Sequence, residues 1–260
     1  MANEIKLIDG IHHGSHFDAF CGYAEHVLKL IDKALSSGEV KRVSFKKRLR
    51  FLRSKTMELD IYTLKLSEGV KLVVITKKDS MDPITAFPVI EGEIVKGKIE
   101  KILEWREYPE ANISFTCESG ANVNFFATDY AMKKNEYLNL NKASVSLSFI
   151  SYRGSVGFTG EEHKVGEVQG TPVVFNWDEA EILFPASISV EGAFIDDYIL
   201  TGKVEDFKEI EGAFGEGYLI RVKTEPIGKL KVFVLRSNLE GELEKGAPIR
   251  LVGWLQGKLP

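Results

Sequence analysis

Val95-Lys96-Gly97-Lys98-Ile99-Glu100 and Leu200-Thr201-Gly202-Lys203-Val204-Glu205 are two versions of one hexamer, and their surroundings repeat with them. Upstream, Val73-Val74-Ile75-Thr76 answers to Val173-Val174-Phe175-Asn176, and Phe87-Pro88 with Glu91-Gly92 answers to Phe184-Pro185 with Glu191-Gly192. Downstream, each copy runs through a polar loop, a strand (112–117; 218–222), a turn at Gly120 or Gly228, and a second strand (123–127; 230–235). A short charged connection and a third strand (144–150; 249–254) complete it. Matches kept in one order at a spacing of about a hundred residues point to duplication, and self-similarity sets an architecture before any single element does.

Working outward, branched residues dominate Ile61 to Leu66 and Val70 to Thr76, and Ser67-Glu68-Gly69 between them reads as a hairpin. Residues 15–37 give a helix: Phe17, Phe20, Cys21, Ala24, Val27, Leu28, Ile31, Ala34 and Leu35 recur at helical spacing, with Ser15 and Asp18 as a capping box and Gly38 past the end. Its apolar stripe needs a surface to cover, which makes it the candidate for docking a partner protein. Residues 41–55 carry eight positive charges and no negative one. Their apolar residues fit a strand (Val43, Phe45, Leu49, Phe51) and a helix (Phe45, Leu49, Leu52) equally. The expected organisation is an N-terminal helix and basic segment over 1–57, a first β module with a leading hairpin over 58–155, and a second β module over 156–260.

A long first strand interrupted by Gly97 or Gly202, then a hairpin, a short connection and a returning strand, resembles the OB-fold superfamily, covering about residues 91–154 and 198–259. That resemblance implies a mainly β protein with an N-terminal α-helix and two tandem Greek-key β-barrels, each with a first strand bent at its glycine. One departure is visible. The chain reaches Pro260 too soon after Leu251-Val252-Gly253-Trp254 to give the second copy a fifth strand, so Ala86 to Ile90 and Ala186 to Val190 are the candidates for that role.

A chain of 260 residues with 44% hydrophobic and 28% charged residues buries a real core. Its longest apolar runs, such as Leu72-Val73-Val74-Ile75, are far shorter than the roughly 20 residues a bilayer demands, so no membrane span is expected. Two cysteines, Cys21 and Cys117, in no redox or zinc spacing suit a reducing, cytoplasmic compartment. The net charge of -4 argues against a generally basic nucleic-acid protein, although residues 1–56 hold eleven Lys and Arg against six Asp and Glu.

Strand alternation turns Ile220, Val222, Leu230, Val232 and Val234 inward and Arg221, Lys223, Lys229, Lys231 and Phe233 outward. The OB resemblance implies that such a face holds single-stranded DNA or RNA by phosphate attraction and base stacking. The bland alternative is a solvated hairpin whose lysines discourage edge aggregation. In the first copy the same operation exposes Asn112, Ser114, Thr116, Asn122, Asn124 and Phe126, beside Trp105, Arg106 and Tyr108, a secondary candidate surface. Arg42, Lys46, Lys47, Arg50 and Arg53 could grip phosphates or pack their aliphatic stems on the β domain.

His12, His13, His16 and His26 lack the spacing of a metal site and read as a flexible or locally hydrogen-bonded terminus. Glu161-Glu162, Asp178-Glu179 and Asp196-Asp197 fall in loop-like, solvated surroundings. Phosphate-loop, dinucleotide and nucleophile-elbow signatures are missing. No cofactor and no catalytic site are expected. The two expectations carried forward are a non-enzymatic single-strand binder and, as the alternative, an interaction scaffold.

Overall fold

The computed structural model describes residues 3–10, 13–21, 24–48, 54–157, 162–168, 171–176, 180–225 and 227–260. The chain begins with β1 (Ile5–Ile8), α1 (Gly14–Cys21), α2 (Ala24–Ser37), β2 (Glu39–Arg48), β3 (Ser54–Ser67), β4 (Val70–Lys77) and β5 (Pro83–Ile90). It continues through β6 (Glu93–Trp105), β7 (Ala111–Cys117), β8 (Asn122–Ala127), α3 (Tyr130–Asn139) and β9 (Lys142–Val156). The remainder holds β10 (Glu162–Val168), β11 (Thr171–Asn176), β12 (Leu183–Pro185), β13 (Asp197–Gly212), β14 (Gly215–Thr224), β15 (Gly228–Leu235), β16 (Leu239–Glu240) and β17 (Pro248–Lys258).

The described part of the basic run is strand: β2 pairs with β3 from Glu39 opposite Thr63 to Arg48 opposite Ser54, and the antiparallel sheet β2-β3-β4-β5 follows. Gly69, at φ 71, turns β3 into β4 as the hairpin signature requires. Phe45 is buried on this sheet, its ring 6.1 Å from that of Tyr130 in α3. The helix expected over 15–37 is two helices. α1 packs on β5, β9 and β15, and α2 on β3 and β4, so much of the stripe expected to seek a partner protein is covered by the chain itself, while Ala24 and Leu28 stay exposed. Phe17, Phe20, Cys21, Leu30 and Ala34 are buried there.

Both modules are OB-like. β6-β7-β8 and β13-β14-β15 are matching antiparallel meanders. A Cβ at Gly97 would lie 2.2 Å from the carbonyl oxygen of Thr116, and one at Gly202 2.1 Å from that of Lys223, so each glycine permits the same close approach of its first strand to its second. A bulge follows each, between Ile99 and Lys101 and between Val204 and Asp206. The residues read as inward-facing, Ile220, Val222, Leu230, Val232 and Val234, are all fully buried.

The fifth strand comes from an unexpected place. β9 closes the first module on β6, from Glu93 opposite Leu147 to Lys98 opposite Lys142. It then pairs in parallel with β15 of the second module, Ser148 to Ile150 beside Lys231 to Phe233. β17 does the converse: it closes the second module on β13, and Gln256 and Gly257 pair in parallel with Phe126 and Ala127 of β8. Each module therefore receives from the other the strand it lacks. The segments expected to supply it lie elsewhere, Ala86 to Ile90 in β5 and Ala186 to Ile188 in a 3-10 turn. The upstream matches diverge likewise, because β4 pairs with β5 whereas β11 pairs with β10 and β12 with β13. Among the described residues no helix is long and apolar enough to cross a membrane.

Candidate functional site

The basic face of the second module is internally neutralised. Arg221 Nε donates to Glu93 Oε1 at 2.9 Å and lies 3.8 Å from Glu205, Lys229 reaches Glu205 at 2.5 Å, and Lys223 reaches Glu181 at 3.3 Å. Lys231 is half-buried. Phe233, expected outside, is fully buried, with its ring 5.2 Å from those of Phe20 and Phe214, because α1 covers the outer side of β15. Asn112 and Phe126 of the first module are likewise buried on the outer side of their strands, where the His13 ring lies 4.8 Å from that of Phe126; Ser114 and Thr116 satisfy themselves on Asn124 and Asn122 at 2.6 and 2.7 Å.

The remaining candidates are dispersed. Arg42 forks onto Asp60 at 2.7 and 2.9 Å and reaches Asp79 at 2.8 Å. Lys46 is exposed, Lys47 is buried and donates to the Tyr108 carbonyl at 3.4 Å, and Arg50 and Arg53 lie outside the described residues. Arg106 pairs with Asp9 at 2.7 Å, Tyr108 is half-buried, and Trp105 is buried.

What these residues do not form, the supposed terminus and one supposed surface acid pair do. His13 and His16 are buried, His16 completely, and hydrogen-bonded to each other at 2.8 Å, so this segment is locally hydrogen-bonded and not flexible; Asp196 and Asp197 are buried too, which corrects the reading of that pair as solvated. His12 lies outside the described residues. The signal was present: His13, His16, Phe17 and Phe20 share one helical stripe, and Phe194-Ile195 and Tyr198-Ile199-Leu200 enclose the two aspartates in apolar sequence. α1 and the turn residue before it carry the two imidazoles under the sheet, where His16 stacks on Trp254 with centroids 3.8 Å apart and His13 stacks on Trp105 at 5.3 Å.

Glu110 Oε1 accepts from Thr85 Oγ1 at 2.6 Å and faces His13 Nε2 at 3.2 Å. The Nδ1 atoms of His13 and His16 share a hydrogen bond across 2.8 Å, and His16 Nε2 is buried with no partner. Burial, and secondarily the neighbouring His13, hold the His16 pKa well below the ordinary imidazole value, so the ring is neutral at pH 7.

Beside this relay, Asp196 Oδ2 accepts from Asn112 Nδ2 at 2.7 Å and Trp254 Nε1 at 2.8 Å, while Asn112 Oδ1 accepts from Trp105 Nε1 at 2.6 Å. Asp196 Oδ1 is buried and has no partner. Burial, with Asp197 adding to it, pushes the Asp196 carboxyl up to about 6. Asp197 accepts from Tyr152 OH at 2.6 Å and from the Phe194 amide at 2.8 Å, which anchors the segment leading into β13. Between that segment and the first module lies a cleft of about 230 Å³, lined by Ile8, Trp105, Asn112, Phe194, Ile195 and Asp196 among others.

The duplicate half has no such site. Leu219 stands opposite Phe233 where Asn112 stands opposite Phe126, and Ser148 stands opposite Gln256 where Trp254 stands opposite Ile150. An OB-like module thus folds without these polar side chains. Among the described residues no group of three or more His, Cys, Asp or Glu side chains could hold a metal ion.

No protein-family profile matches the chain, and no curated protein matches it in sequence. Among solved structures it is similar to the cytoplasmic molybdate-binding protein ModG in a molybdate-bound form, at 13% identity and a TM-score of 0.34, over 65% of this chain and 96% of that one. A likeness at that score carries no argument. The ligand named there is molybdate, a small ion and not a nucleic acid. The expectation of single-stranded nucleic acid is corrected on the geometry, since its stacking residue Phe233 is in the core and most of its cations are paired with carboxylates.

Proposed function

We propose that the protein binds a small ligand in the cleft between Trp105 and the Ala193–Asp196 segment, and that the ligand donates a hydrogen bond to Asp196 Oδ1. The observation that carries this reading is the unpartnered, fully buried carboxylate oxygen on a residue that lines an apolar cleft. A buried polar atom left without a partner costs about 1–3 kcal/mol, more when charged, and such sites occur where a ligand or an ion supplies the missing bond. Trp105 and Phe194 offer an apolar aromatic lining, so the matching ligand has a flat apolar body and a cationic or N–H donor end. The reading is of a binding protein and assigns no reaction to the site.

The site draws on both halves of the chain, Trp105 and Asn112 from the first and Asp196 and Trp254 from the second, so the division at residues 57/58 and 155/156 is part of this proposal as a structural one. Cys21 and Cys117, both buried and unpaired, suit a reducing, cytoplasmic setting. Calorimetric titration with benzamidine and, separately, benzoate tests the reading. Benzamidine should bind to the intact protein and not to Asp196→Asn, and benzoate should bind to neither. Benzamidine binding that survives the substitution, or no binding at all, overturns it.

A further inference from the structure

The Asp196 carboxyl has only one oxygen at which it can hold a proton, and it is the oxygen that the proposed ligand needs. Trp254 Nε1 and Asn112 Nδ2 both donate to Asp196 Oδ2, at 2.8 and 2.7 Å. An indole nitrogen is a donor and never an acceptor. The Asn112 amide has one orientation for the same reason: its Oδ1 accepts from the indole of Trp105 at 2.6 Å, so its NH2 group faces Asp196. Oδ2 is therefore saturated by two N–H groups and has no place for a hydrogen of its own. A proton taken up by Asp196 goes to Oδ1, which is buried and has no partner. That one atom is an acceptor in the carboxylate and a donor in the acid.

We propose that the Asp196 cleft takes a second class of ligand, a flat neutral molecule with a hydrogen-bond acceptor, and that the proton on Asp196 Oδ1 selects between it and the donor ligand. The inference rests on the binding reading above and adds that the two classes exclude one another. A cationic or N–H donor needs the bare oxygen, whereas a carbonyl or ring nitrogen needs the O–H. The apolar lining of Ile8, Trp105, Phe194 and Ile195 receives the body of either. An anion suits neither form, since it would be buried beside the Asp197 carboxyl in a lining without a cationic side chain among the described residues. Burial, with Asp197 adding to it, lifts the Asp196 carboxyl to about 6, so both forms are reached near neutrality. The surrounding ionisable groups are otherwise engaged. Burial raises the Tyr152 and Tyr198 hydroxyls, which keeps them protonated, and holds His16, behind Trp254, well below the ordinary imidazole value. Asp197 accepts from Tyr152 and the Phe194 amide, Asp9 is paired with Arg106, and His13 faces Glu110.

Calorimetric titration of the full chain at pH 5 and pH 7.5 tests the proposal, with benzamidine and with acetophenone, its neutral isostere that has a carbonyl where benzamidine has N–H donors. Benzamidine, a cation at both pH values, should bind about tenfold more weakly at pH 5, and acetophenone about tenfold or more tightly there, as the competent fraction of Asp196 changes. Asp196→Asn imitates the acid, because its carbonyl keeps the two N–H donors and its NH2 takes the place of Oδ1. It should bind acetophenone equally at both pH values and should not bind benzamidine. Asp129→Asn removes a carboxyl that is also lifted to about 6 but lies outside the cleft, and it should leave both wild-type profiles unchanged. Benzamidine binding that ignores pH, acetophenone that fails to bind at pH 5, or a profile flattened by Asp129→Asn overturns this proposal and leaves the donor-ligand reading in place. Failure of benzamidine to bind at either pH overturns both.

Discussion

Phe149 and Leu255 stand directly opposite one another on the β9–β17 ladder, both fully buried, and each occupies in its own module the position the other occupies in its own. The equivalence follows from the parallel pairings: Ile150 stands beside Phe233 of β15 and Gln256 beside Phe126 of β8, and Phe126 and Phe233 correspond. A pseudo-twofold axis thus passes between Phe149 and Leu255, and the two modules exchange strands around it.

That exchange makes the last residues of the chain part of the first module. Deleting residues 255–260 should strip Gln256 and Gly257 from β8 and release the hydrogen bonds that Gln256 makes to the Pro88 carbonyl at 2.7 Å and from the Ile90 amide at 3.4 Å. Phe149→Ala should cost about 3–5 kcal/mol. In both variants tryptophan fluorescence and far-UV circular dichroism should report one shared urea transition, shifted downward. A first module that melts at its wild-type midpoint contradicts the exchange.

Phe233→Ala should destabilise by about 3–5 kcal/mol, because it empties a space between Phe20 and Phe214. Lys229→Ala, which removes an exposed partner of Glu205, should change stability by no more than about 1 kcal/mol. Urea denaturation of the two variants measures the contrast, and comparable small effects would return Phe233 to the surface.

Asp196 titrates at about 6 in the folded protein against an ordinary value of 3.8. The folded state therefore holds a proton that the unfolded chain has released, and stability falls as pH rises from about 4 to about 6, then levels off. Asp129, which burial also lifts to about 6, adds a fall in the same window. Asp196→Asn should remove the Asp196 share, up to about 3 kcal/mol, and leave the Asp129 share, as read from denaturant midpoints at closely spaced pH. An unchanged slope in Asp196→Asn would show that this carboxyl titrates normally.

His16 should act in the opposite direction. Its folded pKa lies well below 6.5, so its contribution to stability is complete above pH 6.5 and is lost as the unfolded chain takes up a proton at lower pH. Nitrogen chemical shifts should show the ring neutral at pH 6, and His16→Phe should flatten the acid limb of the stability curve. A ring that titrates near 6.5 would refute its burial.

The duplication was legible from Gly97 and Gly202, because a close backbone approach tolerates no side chain and leaves the same mark in both copies. The inward set Ile220, Val222, Leu230, Val232 and Val234 was legible from strand alternation for a similar reason: the period of a strand is a local property. The other face was not. Whether Phe233 meets water depends on α1, more than two hundred residues away in sequence, and no local pattern records that cover. Likewise Asp196-Asp197 is an acid pair like the others until Asn112, Trp254 and Tyr152 arrive from three different strands to bury it. Residue types and their spacing determined by themselves that this chain is a duplicated, mainly β protein. Which strand completes which barrel, which side of each hairpin is covered, and where a carboxylate is left without a partner were decided only in the tertiary structure, because each depends on contacts between segments that sequence order keeps apart.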